Sequence, residues 1–87
     1  MTEQISVWVV DDDEAIRFVL GRALGLAGYK TRSFADVGSV CAALDDAQPA
    51  VIITDIRLPD ADGLSVLQAL EERGIELPVI AMTAGTK

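Results

Sequence analysis

The chain has 87 residues, 51% of them hydrophobic and 24% charged, which suits one small domain with a modest core and leaves no room for a second. Fourteen acidic residues against seven basic ones, with no histidine, give a net charge of −7 that opposes any sequence-independent grip on nucleic acid or an anionic membrane. No apolar run approaches the roughly 20 residues of a membrane span, and residues 1–6 lack the basic start and apolar stretch of a signal peptide, so a cytoplasmic location is expected.

In chain order, Val7-Trp8-Val9-Val10 is an unbroken, β-branched apolar run, the pattern of a central strand covered on both faces. Asp11, Asp12 and Asp13 follow directly. Ile16, Val19, Leu20, Ala23, Leu24 and Ala27 then recur at helical spacing, and Gly28 stands where a left-handed residue would end the helix, which predicts a helix from Glu14 to Ala27. Gly21 and Gly25 each cost it about 0.8 to 1.0 kcal/mol relative to alanine; either close packing along that face or merely a weak helix would account for them, and close packing is the preferred expectation. Tyr29 to Phe34 is more polar and reads as an edge strand. Val37, Val40, Cys41 and Leu44 mark a second helix, with Asp36 as its candidate cap. Cys41, the sole cysteine, permits neither an internal disulfide nor a multi-cysteine zinc site and reads as a small core residue.

Pro49 is expected to start the next strand, through Val51-Ile52-Ile53-Thr54 to Asp55. The turn-forming segment Arg57-Leu58-Pro59-Asp60-Ala61-Asp62-Gly63 leads to a third helix with Leu64, Leu67 and Leu70 on its apolar stripe and Gly74 at its end. A calcium loop in that segment fails at both ends, since its register would require Leu58 and Ala69 as ligands. Pro78 to Met82 reads as a fourth strand. Alternating strands and helices predict an α/β fold, a doubly wound parallel sheet with right-handed crossovers and helices on both faces.

Ligands of such sheets bind beyond the carboxyl ends of the strands. Asp11, Asp12, Asp13, Asp55 and Thr83 all fall at that edge. Carboxylates about 4 Å apart repel by about 4 kcal/mol at an effective dielectric near 20, so a hard divalent cation, a shared proton or a phosphoryl group with its metal is expected to offset the cost. Oxygen-only ligands suit magnesium, with Asp12 and Asp55 as direct ligands, Asp11 acting through water, and the Arg57 carbonyl completing the protein side. A carboxylate can also attack phosphorus, and Asp55 is the candidate nucleophile. The plainer alternatives are N-capping for the aspartates, which describes Asp13 well, ordinary strand content for Thr83, and solvated charges for Arg17 and Arg57, although either arginine lies close enough in sequence to the acids to pair with them or with an incoming phosphate.

Taken together, Val9-Val10-Asp11-Asp12-Asp13, Ile16-Arg17, Asp55-Ile56-Arg57-Leu58-Pro59 with Gly63, and Met82-Thr83-Ala84 resemble the receiver domain of two-component response regulators, most closely its nitrogen regulatory protein C branch. The resemblance implies a flavodoxin-like receiver fold in which Asp55 accepts a phosphoryl group from a sensor histidine kinase. It further implies Mg2+ held by Asp11, Asp12, Asp55 and the Arg57 carbonyl, Thr83 as the switch hydroxyl, and Asp13, Arg57 and Gly85 bordering the site. The downstream partner would be an output domain that activates transcription.

Residues 1–87 would then be a partial receiver of four strands and three helices. The family's fifth strand, last two helices and phosphate-pairing lysine have no counterpart; Lys87 comes too soon after Thr83. The Pro78 to Met82 strand is accordingly expected to present an apolar edge, a liability for dimer or oligomer formation. A regulatory phosphoacceptor, not a turnover enzyme, is the leading expectation. One alternative is a magnesium-dependent phosphatase with an aspartyl nucleophile, which Arg57 disfavours by standing where such enzymes carry a second aspartate. The other is a fragment with only a folding or partner-docking role.

Overall fold

The structure, a computed structural model, describes residues 4–58 and 64–82. Its elements run β1 (Ser6–Val10), α1 (Glu14–Leu26), β2 (Lys30–Phe34), α2 (Val37–Leu44), β3 (Val51–Asp55), α3 (Leu64–Glu72) and β4 (Val79–Met82). All pairings are parallel and the strand order is β2-β1-β3-β4, so the chain starts mid-sheet, steps to one edge, and returns past β1 to the other. That reversal beside β1 is the switch point of a doubly wound sheet, as the alternating pattern predicts.

Local chemistry accounts for where the helices begin and end. Asp13 is the N-cap of α1, its carboxylate accepting from the Ala15 and Ile16 amides at 2.8 and 3.4 Å. Asp36 caps α2 by accepting from the Ser39 amide at 2.8 Å. Such caps contribute about 1 kcal/mol each. At the far ends, Gly28 (φ 98°) and Gly74 (φ 67°) take the left-handed conformation. In each case the next residue closes the turn: Tyr29 donates to the Leu24 carbonyl at 3.0 Å, and Ile75 to that of Leu70 at 2.9 Å. These are Schellman closures, and the second directs Ile75 onto the core.

On one face of the sheet, Trp8, Val10, Phe34 and Ile52 pack against Val37, Val40, Leu44, Val66 and Leu70, which sets α2 and α3 on that side. Arg32 of the edge strand covers the rim of this core, its guanidinium 5.3 Å from the Trp8 ring and 5.1 Å from that of Phe34. Side chains alternate along a strand, so Val7 and Val9 face the opposite side with Thr31, and α1 lies there: a Cβ on Gly21 would sit 3.9 Å from Thr31 Oγ1.

Three expectations change. Pro49 is buried but precedes β3, which opens at Val51. Gly21 and Gly25 are not required by close packing, since an added Cβ meets only an ordinary contact at the first and nothing within 4 Å at the second; α1 is simply a weaker helix than alanine would make it. The apolar stripe of α1 is also not sealed: no α1 residue is fully buried, Val19 is 59% exposed and Phe18 67%. On β4, Ile80 is 53% exposed, in keeping with the apolar edge expected of that strand.

Candidate functional site

Two adjacent central strands bring the acidic residues together. Val10 pairs with Thr54 in the β1–β3 ladder, so the residues that follow, Asp11 and Asp55, leave the sheet side by side at its carboxyl edge. Carboxylate oxygens of Asp11, Asp12 and Asp55 all lie within 4.8 Å of one another, the one grouping of this kind among the described residues. Asp11 is only 2% exposed, Asp55 is half-buried and Asp12 faces solvent. The cluster therefore grades from interior to surface.

The β1–α1 turn is held at several points. The Asp11 amide donates to the Phe34 carbonyl at 3.0 Å, extending the β1–β2 ladder. The Asp13 amide donates to Asp11 Oδ1 at 2.8 Å, while Asp13's own carboxylate caps α1. On β3, the Arg57 amide donates to Asp55 Oδ1 at 3.3 Å, and Thr54, 1% exposed, satisfies its hydroxyl on the Asp55 carbonyl at 3.0 Å. Burial pushes the Asp11 carboxyl above its ordinary range; the Asp13 amide pulls it down, and repulsion from Asp55, Asp12 and Asp13 pushes it up again.

The sequence-predicted set separates accordingly. Asp11, Asp12 and Asp55 converge, and Asp13 borders them as a cap. Arg57 meets the cluster through its amide, which donates to Asp55 Oδ1. The end of β4 approaches too, since Met82 pairs with Asp55 and its carbonyl accepts from the Ile56 amide at 3.3 Å. Thr83, Gly85 and Gly63 lie outside the described residues. Arg17 differs from its expected role as a solvated charge: it is half-buried, and Nη1 donates to the Asp11 carbonyl at 2.7 Å. The signal for it is faint, a cation in the first turn of a helix, where the helix dipole disfavours one.

Three oxygen donors without nitrogen or sulfur, graded toward solvent and carrying like charges, fit a hard cation of the magnesium type that keeps part of its water shell. Fold and site thus define a doubly wound α/β domain with a cluster of three carboxylates, able to hold a cation, at the switch point of its sheet.

Residues 7–87 match the response regulator receiver domain family, and the chain belongs to it. Among curated proteins, it is 51% identical over 79 residues to the DNA-binding transcriptional regulator NtrC of Proteus hauseri, an alignment covering 91% of this chain and 17% of that protein. The chain thus spans about a sixth of such relatives. Among solved structures, the beryllofluoride-activated NtrC receiver domain superposes with a TM-score of 0.82 at 45% identity, covering 99% of this chain and 69% of the other. A structure described as a transiently phosphorylated switch in bacterial signal transduction gives 0.78 at 47% identity, covering 95% and 67%.

Proposed function

We propose that this chain is a phosphoacceptor: Asp55 receives a phosphoryl group, in the presence of Mg2+, from the phosphohistidine of a sensor kinase, and the modified domain controls an output domain that activates transcription in the cytoplasm. The observation that carries this reading is the convergence of Asp11, Asp12 and Asp55 carboxylates within 4.8 Å at the carboxyl edge of β1 and β3. The likeness to a transiently phosphorylated switch at 47% identity supports it.

The Arg57 amide engages Asp55 Oδ1, which orients the carboxylate and leaves Oδ2 free of that bond to attack. An Oδ2 lone pair forms the new P–O bond as the P–N bond to the donor imidazole breaks; that nitrogen keeps the bonding pair and is later reprotonated from solvent. Asp12 and Asp55 would hold the cation directly, with Asp11 through water and the Arg57 carbonyl as a further oxygen. Bound there, it supplies positive charge beside the transferring phosphoryl oxygens. Asp11 contributes a charge that stays at the site because its carboxylate is tied to the Asp13 amide. Thr83, following the strand that pairs with Asp55, is the proposed switch hydroxyl, biasing an existing equilibrium between two states by its differential affinity for the phosphorylated one. The domain is accordingly a regulatory phosphoacceptor and not a turnover enzyme.

Incubation with Mg2+ and acetyl phosphate, read by intact mass, tests this. A phosphoryl adduct on wild type and none on Asp55→Asn is the expected result. No adduct on a folded sample that binds magnesium would refute it, and sustained phosphate release over many turnovers would instead indicate the phosphatase.

A further inference from the structure

Arg17 bears a charge that the phosphoacceptor reading leaves without a task. It lies on the fourth residue of α1, where its own amide donates to the Asp13 carbonyl at 3.1 Å. A cation in the first turn is opposed by the helix dipole, and ordering a long guanidinium side chain costs conformational entropy. The side chain nevertheless folds back over the turn to place Nη1 2.7 Å from the Asp11 carbonyl, a short charge-assisted bond. It donates to a carbonyl and not to one of the neighbouring carboxylates.

That carbonyl belongs to the peptide joining Asp11 to Asp12, the link that sets the angle between the buried and exposed carboxylates of the cluster. The other restraints act elsewhere: the Phe34 carbonyl holds the Asp11 amide, and the Asp13 amide holds the Asp11 side chain. We propose that Arg17 is a positioning residue for the cation site, holding the Asp11–Asp12 peptide through its carbonyl so that both carboxylates stay directed toward Asp55. The inference rests on the phosphoacceptor reading only for the identity of the cation.

The sign of one measurement separates this role from that of a nearby charge. A guanidinium acting through space repels a bound cation, so Arg17→Met would tighten magnesium binding. A guanidinium that holds the peptide favours the cation, and Arg17→Met weakens it by about tenfold, the low end for one charge-assisted hydrogen bond. Magnesium affinity is read by calorimetry on wild type, Arg17→Met and Arg17→Lys, with Lys expected to fall between the other two because it keeps a donor but not the rigid fork. Amide hydrogen exchange in chelator supplies a metal-free readout. The Asp13 amide, held on Asp11 Oδ1, is expected to exchange about tenfold faster in Arg17→Met, with the β1 amides unchanged. Unaltered exchange at Asp13, or magnesium binding as tight as wild type or tighter, overturns the proposal. Should Arg17→Met not fold, Arg17→Lys decides by the same two criteria. A wild type that binds no magnesium would sink the receiver reading, whereas the exchange comparison would still decide the role of Arg17.

Discussion

Replacing Asp11 by asparagine should stabilise the metal-free protein. Asn keeps an Oδ1 that can accept the 2.8 Å bond from the Asp13 amide, while the charge is removed and an amide NH2 takes the place of Oδ2. At a separation of 4.8 Å, the outer bound for this cluster, the repulsions from Asp12 and Asp55, two of the three that act on Asp11, each amount to about 3.5 kcal/mol at a dielectric near 20 and about 0.9 kcal/mol in bulk water. Asp12 is exposed and Asp55 half-buried, so both interactions lie nearer the aqueous value and their sum is about 2 kcal/mol. For a domain of this size that corresponds to a rise in Tm of about 10 °C, little screened at 0.1 M salt, where the Debye length of about 10 Å exceeds the separation. Thermal unfolding followed by circular dichroism at pH 8 in chelator reads it directly. Magnesium at about 100 times Kd should then raise the wild type by about 2.7 kcal/mol and the variant by much less, closing or reversing the gap. A variant with native near-UV signal that melts at or below wild type in chelator would refute the idea that this cluster stores repulsion.

Two further outcomes follow from the same geometry. Burial raises the folded-state pKa of Asp11 above that of an ordinary carboxyl, so the folded protein binds more protons than the unfolded chain between those two values. Asp11's contribution is therefore fully present below the unfolded pKa and is lost as pH rises through the folded one; the metal-free stability difference between wild type and Asp11→Asn should widen with rising pH across that window, and a constant difference in urea titrations would contradict it. The glycines should divide by backbone conformation: Gly21→Ala, with only Thr31 Oγ1 3.9 Å away, is expected to stabilise by about 0.8 kcal/mol, whereas Gly74→Ala at φ 67° should destabilise by about 1 to 2 kcal/mol. Equilibrium unfolding in urea gives both signs, and Gly21→Ala destabilising would mean that α1 packs more tightly on β2 than its geometry indicates.

The sheet and its acidic edge were legible because each rests on a local signal that tertiary structure did not override. An unalternating β-branched run before Asp11, a second before Asp55, and helical spacing between them suffice to place both carboxylates at one edge once parallel crossovers are assumed right-handed. Caps were equally readable: Asp13, Asp36, Gly28 and Gly74 stand where the helix ends need them. What periodicity cannot give is whether anything covers an apolar stripe. Val19 and Phe18 carry the spacing or character of core residues and lie exposed, because the pattern records a face and not its neighbour. Arg17 escaped for a different reason. Its bond joins a side chain to a backbone carbonyl six residues earlier, a contact that depends on how the β1–α1 turn folds; the residue types show only a cation near the acids in the first helical turn, not which oxygen it meets.

The position of the cluster has an energetic logic as well as a chemical one. Its repulsion of about 2 kcal/mol or more falls at the ends of the two central strands, where Trp8, Val9, Val10 and Ile52 are fully buried. Each such side chain contributes about 1.5 to 3 kcal/mol on burial, so the destabilising charges are anchored to the best-packed part of the fold. At an edge strand the same charges would be met by local fraying: β2 has one fully buried residue, Phe34, and β4 has none. Held between β1 and β3, they cannot separate without breaking the core, and the relief available to them is a proton, a cation or a change of covalent state at Asp55. A site that can relax only through its ligands responds to them, and this is the property a receiver requires.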